Sequence, residues 1–334
     1  MTTDRDNEHT GAVLLPEITP GHDDIYAMPV LTGDNVTGVN PARAYLLSLN
    51  SPRSRQTMAS FLNIVARILG ASDLSDCSWG SLRRHHVMAL IDMLRDSGLA
   101  VATVNTYLSA LRGVAAEAWM LKLMGVEDYQ HIRTVRSVRG SVLPRGRALG
   151  REEITALFAA CDADHTSKGL RDAALIALIL GCGLRRSEAV ALSYHDLIHQ
   201  EKALKVLGKG NKMRFAYVPS GAWERLIIWI EQIRGEQPGP LFTRIRRHDT
   251  LTSDRLTDQS VYHILQVRQQ QADISQCAPH DLRRTFATAM LDNGEDLITL
   301  KDAMGHSSVT TTQKYDRRGE ARLIAARDNL HLIV

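Results

Sequence analysis

The stretch ALKVLGKGNKMRFAYVP, residues 203–219, decides the fold class of this chain. Leu204 and Val206 alternate with Lys205 and Leu207, and Met213, Phe215 and Tyr217 alternate with Arg214 and Ala216. A period of two belongs to extended chain, whose side chains point to opposite faces in turn. Between the two runs lie Gly208, Lys209, Gly210 and Asn211, residue types that enter tight turns at low cost. The reading is a β-hairpin with Lys209 near its tip. Elsewhere the apolar period is helical, so the expected fold is mainly α with a small β-sheet or hairpin in the C-terminal domain.

Upstream, the pattern becomes helical from about Asn40. Met58, Phe61, Leu62, Val65, Ile68 and Leu69 share one face of one helix. Val87, Leu90, Ile91 and Leu94 repeat the spacing, with Ser81 as a candidate N-cap and Gly98 as the stop. A further helix opens near Thr103 and carries Val104, Leu108, Leu111 and Val114. Residues 38–132 therefore read as one small helical domain. The segment RTVRSVRGSVLPRGRALG, residues 133–150, breaks the period with Pro144 and repeated glycines and reads as an interdomain linker. A second domain, 151–334, opens on a helix bearing Ile154, Leu157, Phe158 and Cys161, and further helices are expected over 222–234, 259–271, 281–293 and 296–304. Residues 1–37 are acidic and aperiodic and read as a disordered N-terminus.

Composition narrows the class. The 334 residues carry a formal net charge of only +3, with a pI of about 8.7. That total hides an asymmetry. Asp4, Asp6, Glu8, Glu17, Asp23, Asp24 and Asp34 face Arg5 alone near the N-terminus. The linker region instead gathers Arg133, Arg136, Arg139, Arg145 and Arg147 without an acid. Such a strip suits a phosphate backbone, although a solvated linker would look the same. No apolar run is long enough to span a bilayer and no secretory signal is visible. Cys77, Cys161, Cys182 and Cys277 are scattered without paired spacing, as in reduced thiols of a cytoplasmic protein.

Four patches carry candidate chemistry. In GCGLRRSEAVAL, Gly181 and Gly183 interrupt a buried apolar helix, and Arg185 and Arg186 then open the next with Glu188 one turn in. This is a common i, i+3 ion pair, or else an arginine at a helix N-terminus, where anions bind. Lys209 in GKGNK reads as an ordinary turn residue. In PHDLRRTF, His280 and Arg283 share a helix face. Cys277 and His280 make poor zinc spacing, and no metal site is expected. In MGHSSVTTTQKY, Gly305 ends a helix in left-handed fashion, His306 follows, and Tyr315 lies nine residues on. Singly, each patch reads as structure.

Together and in this order, GLRRSE (183–188), GKGNK (208–212), HDLRRTFAT (280–288) and MGHSSVTTTQKY (304–315) resemble the hallmark boxes of the tyrosine recombinase, or phage integrase, family. The layout is similar too: a helical SAM-like core-binding domain, a basic linker, then an α+β catalytic domain. The resemblance covers about residues 40–330. It implies a site-specific recombinase that cuts and rejoins DNA through a 3′-phosphotyrosine and a Holliday junction, without metal, ATP or other cofactor. It implies Tyr315 as nucleophile, Arg185 and Arg283 as phosphate clamp, His280 as proton acceptor, Lys209 as general acid and His306 as a phosphate or pocket contact. Glu188 would hold Arg185. The implied partners are double-stranded DNA bearing a recombination site, a homotetramer whose C-terminal segments dock on neighbours, and an accessory directionality factor. The implied setting is the cytoplasm, at the nucleoid, and the implied task is integration, excision or resolution of a mobile element. Two rivals share parts of this pattern: a type IB topoisomerase and a catalytically silent DNA-binding regulator.

Overall fold

The computed structural model describes residues 39–140, 146–208, 211–306 and 308–313. The acidic segment 1–37, Pro144, Arg145, Lys209, Tyr315 and the C-terminal tail lie outside the described residues. The chain divides into two compact units, Met1–Val142 and Leu143–Val334.

In the first unit, helix α1 (Pro41–Ser48) starts because Asn40 accepts from the amides of Ala42 and Arg43, with Pro41 already fixed for a first turn. Helix α2 (Pro52–Ile68) begins the same way, at Ser51 and Pro52. The helix rich in Met58, Phe61 and Leu62 is thus preceded by a separate short one. Helix α3 (Arg84–Asp96) buries Val87, Leu90, Ile91 and Leu94 as their spacing predicts. Ser81 does not cap it. Ser81 ends a 3-10 turn, Trp79–Ser81, whose indole donates to the Leu74 carbonyl, and α3 starts only after Arg83. Helix α4 (Val101–Met120) is the hub of this unit and packs on α1, α2 and α3, and on α5 (Val126–Arg133). The sequence reading left α5 out, because Ile132 is its one buried side chain and no stripe marks it.

In the second unit, α6 (Arg151–Asp162) leads to α7 (Ser167–Cys182), where Ala173 through Ile179 are all buried. A helix that is apolar all round belongs at the centre of a domain. Enclosing each leucine there stabilises the fold by about 1.5–3 kcal/mol. Gly181 does not break α7. It sits inside the helix, where a Cβ would come within 3.2 Å of Pro219 and Ala222, so its bare backbone lets the next helix lie close. Gly183 alone ends α7, at φ 59°. One buried ionic chain ties α7 to its neighbours: Asp172 accepts from Arg171 and Arg268, and Arg268 also reaches Asp164 at 2.6 Å.

Helix α8 (Arg186–Ala191) follows, then a three-stranded antiparallel sheet of β1 (Leu197–Ile198), β2 (Ala203–Leu207) and β3 (Met213–Tyr217). The hairpin lies where the alternation placed it. Its buried face holds Leu204, Val206 and Ala216, with Arg214 opposite Val206, while Met213, Phe215 and Tyr217 point outward. Helix α9 (Ser220–Trp229) continues into a wider π turn. A second sheet, β4 (Thr243–Ile245) with β5 (Leu251–Arg255), has no sequence signal, because β5 reads LTSDR and is largely exposed. The last described elements are α10 (Asp258–Gln271), α11 (Pro279–Asp292), α12 (Leu297–Met304) and α13 (Val309–Gln313). Among the described residues no helix is long and apolar enough to cross a membrane.

Candidate active site: an arginine cluster on the end of a helix

Three segments of the second unit meet at one carboxylate. Glu188 lies at the third position of α8 and is 4 % exposed. Its Oε2 accepts from the Arg185 amide at 2.9 Å, the reach-back half of a capping box. Its Oε1 accepts from Arg185 Nη1 at 2.5 Å. From β3, Arg214 donates to both oxygens, at 2.9 and 3.2 Å. From α11, Arg283 Nη1 stands 3.9 Å from Oε2. Three guanidiniums against one carboxylate leave the cluster with a net charge of 3 − 1 = +2. Burial pushes the Glu188 carboxyl up, but the Arg214 hydrogen bonds, the Arg185 amide and the nearby positive charge outweigh it and hold the group below the usual carboxylate range.

The same three arginines meet the C-terminal end of α12. Arg214 Nε donates to the Ala303 carbonyl at 3.2 Å, Arg283 Nη2 to Met304 at 2.7 Å and Arg185 Nη2 to Gly305 at 3.4 Å. The last carbonyls of a helix lack intrahelical partners and carry its negative dipole end, so they attract cations. Here three consecutive carbonyls take one arginine each. Gly305 closes α12 at φ 62°, as its position in the sequence predicts, and a Cβ there would lie 3.0 Å from the Arg214 guanidinium. Gly183 is fixed by the same logic from the other side: its φ is positive, Phe286 covers it, and its carbonyl accepts from Arg283.

His306, just past Gly305, is 7 % exposed. Its Nε2 lies 2.8 Å from Arg283 Nη2 and its Nδ1 lies 3.0 Å from Thr312 Oγ1 on α13. A guanidinium only donates, so Nε2 accepts, and the ring proton sits on Nδ1 and is given to Thr312. Burial first, then the charges of Arg283, Arg185 and Arg214, drive the His306 pKa down to about 4. The ring is therefore neutral in the folded protein and charged in the unfolded chain below about pH 6.5. The unfolded state binds the extra proton, so stability is complete above pH 6.5 and falls as the pH drops toward 4. Urea unfolding of the wild type should lose about 3 kcal/mol across that window relative to His306→Gln. Parallel pH profiles for the two proteins would refute the assignment.

His280 occupies the first turn of α11, one turn before Arg283, and faces solvent. Crowding by the protein, followed by the charges of Arg283 and Arg284, lowers its pKa, so it is neutral and able to accept a proton. Arg186 pairs with Asp258 at 3.4 Å, which leaves Arg185 as the arginine of the cluster. Arg185 keeps 32 % of its side chain exposed, whereas Arg283 keeps 2 %. A ligand entering from solvent meets Arg185 first.

Arg133, Arg136 and Arg139 are exposed on the first unit, and Arg133 lies over the Tyr129 ring. Arg147 is committed elsewhere. Its guanidinium holds Glu153 at 2.5 Å and the Ser275 carbonyl at 2.7 Å, and its amide donates to Asp281. Arg214 and Thr312 were not among the candidates read from sequence. No group of three metal-ligating side chains is found among the described residues.

Comparison with known proteins agrees with this architecture. The family model described as phage integrase family matches residues 147–322, and that described as phage integrase, N-terminal SAM-like domain, matches 44–119. Tyrosine recombinase XerC of Staphylococcus carnosus (strain TM300) is 30 % identical over 294 residues, covering 86 % of this chain and 95 % of its own. Tyrosine recombinase XerD of Pseudomonas aeruginosa (strain PAO1) is 36 % identical over 243 residues, with 70 % and 78 % covered. The fold is also that of a lambda integrase dimer bound to a COC' core site (17 % identity, 84 % and 77 % covered, TM-score 0.60). It is shared with the Tn1549 transposon integrase in complex with circular intermediate DNA (16 % identity, 87 % and 99 % covered, TM-score 0.63).

Fold and relatives together define a tyrosine recombinase, an enzyme that breaks and rejoins DNA strands. The chain belongs to the phage integrase family. These relatives disfavour both the type IB topoisomerase and the silent regulator.

Proposed function

We propose that the chain recombines DNA at a specific site, with Tyr315 attacking the scissile phosphate to form a 3′-phosphotyrosine and release a 5′-hydroxyl. The observation that supports the residue roles is the convergence of Arg185 and Arg283 on Glu188 and the end of α12, with His306 against Arg283. Fixed positive charge aimed at the non-bridging phosphate oxygens stabilises the phosphorane, and such preorganised charge is usually the largest catalytic contribution. Arginine suits the task because it stays charged and donates in a fork. Arg185 meets the phosphate from the solvent side. Arg283 acts from behind, through its charge and through His306.

His280, neutral, takes the phenol proton, whose ordinary pKa is about 10. Lys209, between β2 and β3 in the sequence, returns a proton to the leaving 5′-oxygen. The phosphotyrosine conserves the energy of the broken ester, so rejoining draws on neither nucleotide nor metal. Four protomers on paired sites exchange strands through a Holliday junction, with a directionality factor choosing the outcome for a mobile element at the nucleoid. On the first unit, Arg136 and Arg139 line a groove with Arg84 and Arg95, suited to a phosphate backbone.

The test is covalent capture. Purified protein is mixed with sheared DNA of its host in EDTA, denatured in detergent, and the protein-linked ends are sequenced. Linked ends sharing one consensus are expected. Linked ends without a consensus would point to a relaxing enzyme, and no linkage despite binding would overturn the catalytic reading.

A further inference from the structure

We propose that Arg214 is a positioning residue for strand cleavage, the counter-cation that prevents Glu188 from neutralising Arg185 and Arg283. The proposal rests on the recombinase reading above. A buried carboxylate set between two arginines alone would draw both into full ion pairs and spend their charge inside the protein. Arg214 places one N–H on each Glu188 oxygen. Arg185 then gives the carboxylate a single guanidinium nitrogen, and Arg283 stands off at 3.9 Å. The cluster keeps its net charge of 3 − 1 = +2 and would fall to 2 − 1 = +1 without Arg214. Attack of a phenolate on a singly charged phosphodiester makes a doubly charged phosphorane, which is the charge the intact cluster matches.

Three further observations support the role. Arg214 takes the first of the three consecutive carbonyls that hold the arginines, directly ahead of His306. It is inward-facing on β3, and turning it inward sends Met213, Phe215 and Tyr217 to solvent, because a strand offers only two faces. Its strand also follows Lys209 closely in sequence. A Cβ at Gly208, the residue before Lys209, would lie 3.6 Å from Arg214 Nη1 and 3.7 Å from Glu188 Oε1. Arg214 thus braces Gly208, the arginines and the His306 corner at one point, without facing solvent itself: its side chain is 12 % exposed.

The experiment measures single-turnover cleavage by wild type, Arg214→Gln and Arg214→Lys on a duplex recovered by covalent capture. Each protein is also given the same duplex with a methylphosphonate at the scissile position, which removes the charge the cluster neutralises. On the ordinary duplex, Arg214→Gln should cleave about 100-fold more slowly with unchanged DNA affinity, the loss typical of one preorganised donor. Arg214→Lys should regain about tenfold, since lysine restores charge without the fork. On the methylphosphonate the defect should shrink to within about threefold, because neutralising the substrate removes what Arg214 protects. A defect of equal size on both substrates would mean a purely structural role and would overturn the proposal, as would a wild-type rate in Arg214→Gln. Should Arg214→Gln not fold, the same ratio of defects read from Arg214→Lys decides. Failure of wild type to link DNA at all would instead overturn the recombinase reading, and this proposal with it.

Discussion

Tyr315→Phe is expected to leave DNA bound and uncut. The substitution removes one oxygen and nothing else, so duplex affinity and melting temperature should stay at wild-type values. Covalent linkage should disappear, a fall of at least about 10⁴-fold, in line with removal of a nucleophile from an assembled site. The local frame supports the choice of this tyrosine. Thr312 is fully buried on α13 and accepts a hydrogen bond from the His306 Nδ1–H, so the residue three positions ahead of Tyr315 is tied through His306 to the arginine cluster. Detergent-stable complexes on a labelled duplex, compared between wild type and variant, give the answer. Residual linkage in Tyr315→Phe would assign the nucleophile to another hydroxyl.

Glu188→Gln should damage stability and cleavage together. Glutamine has the same shape, but one of its two heads donates. Both Glu188 oxygens accept here, Oε1 from Arg185 and Arg214 and Oε2 from Arg214 and the Arg185 amide. Whichever way the amide turns, an NH₂ group faces donors that have lost their acceptor. Breaking a buried charged pair from one side costs about 3–5 kcal/mol. For a unit of this size that corresponds to a melting point lower by about 10 °C. Cleavage should fall about 10²–10³-fold as Arg185 loses its orientation. Thermal unfolding and single-turnover cleavage measure the two effects. A melting point within about 2 °C of wild type, with cleavage within tenfold, would show that the carboxylate does not organise the site.

Much of this was visible in the residues themselves. Helices α3, α4 and α7 follow their apolar spacing, Gly305 marks its own left-handed end, and β2 and β3 follow their alternation. Arg185, Glu188, Arg283 and His306 stand out because short motifs hold them. Arg214 did not. Alternation reveals that a segment is a strand, yet the bulky triplet Met213, Phe215 and Tyr217 suggests the wrong buried face. Only the pairing of Arg214 opposite Val206 turns it toward Glu188. Thr312 was hidden in a run of three threonines that nothing local distinguishes. The break before Pro52 and the polar strand β5 were missed for a related reason: caps and edge strands depend on what lies across from them.

The three carbonyls at the end of α12 also bear on how such a gene can change. Residues 185, 188, 214, 283 and 303–306 answer to one another within a single unit, so a change at one is judged by all. Drift at these positions must be concerted or fail. Every described side chain that holds Glu188 comes from the second unit. A lineage can therefore keep this cluster only as a whole.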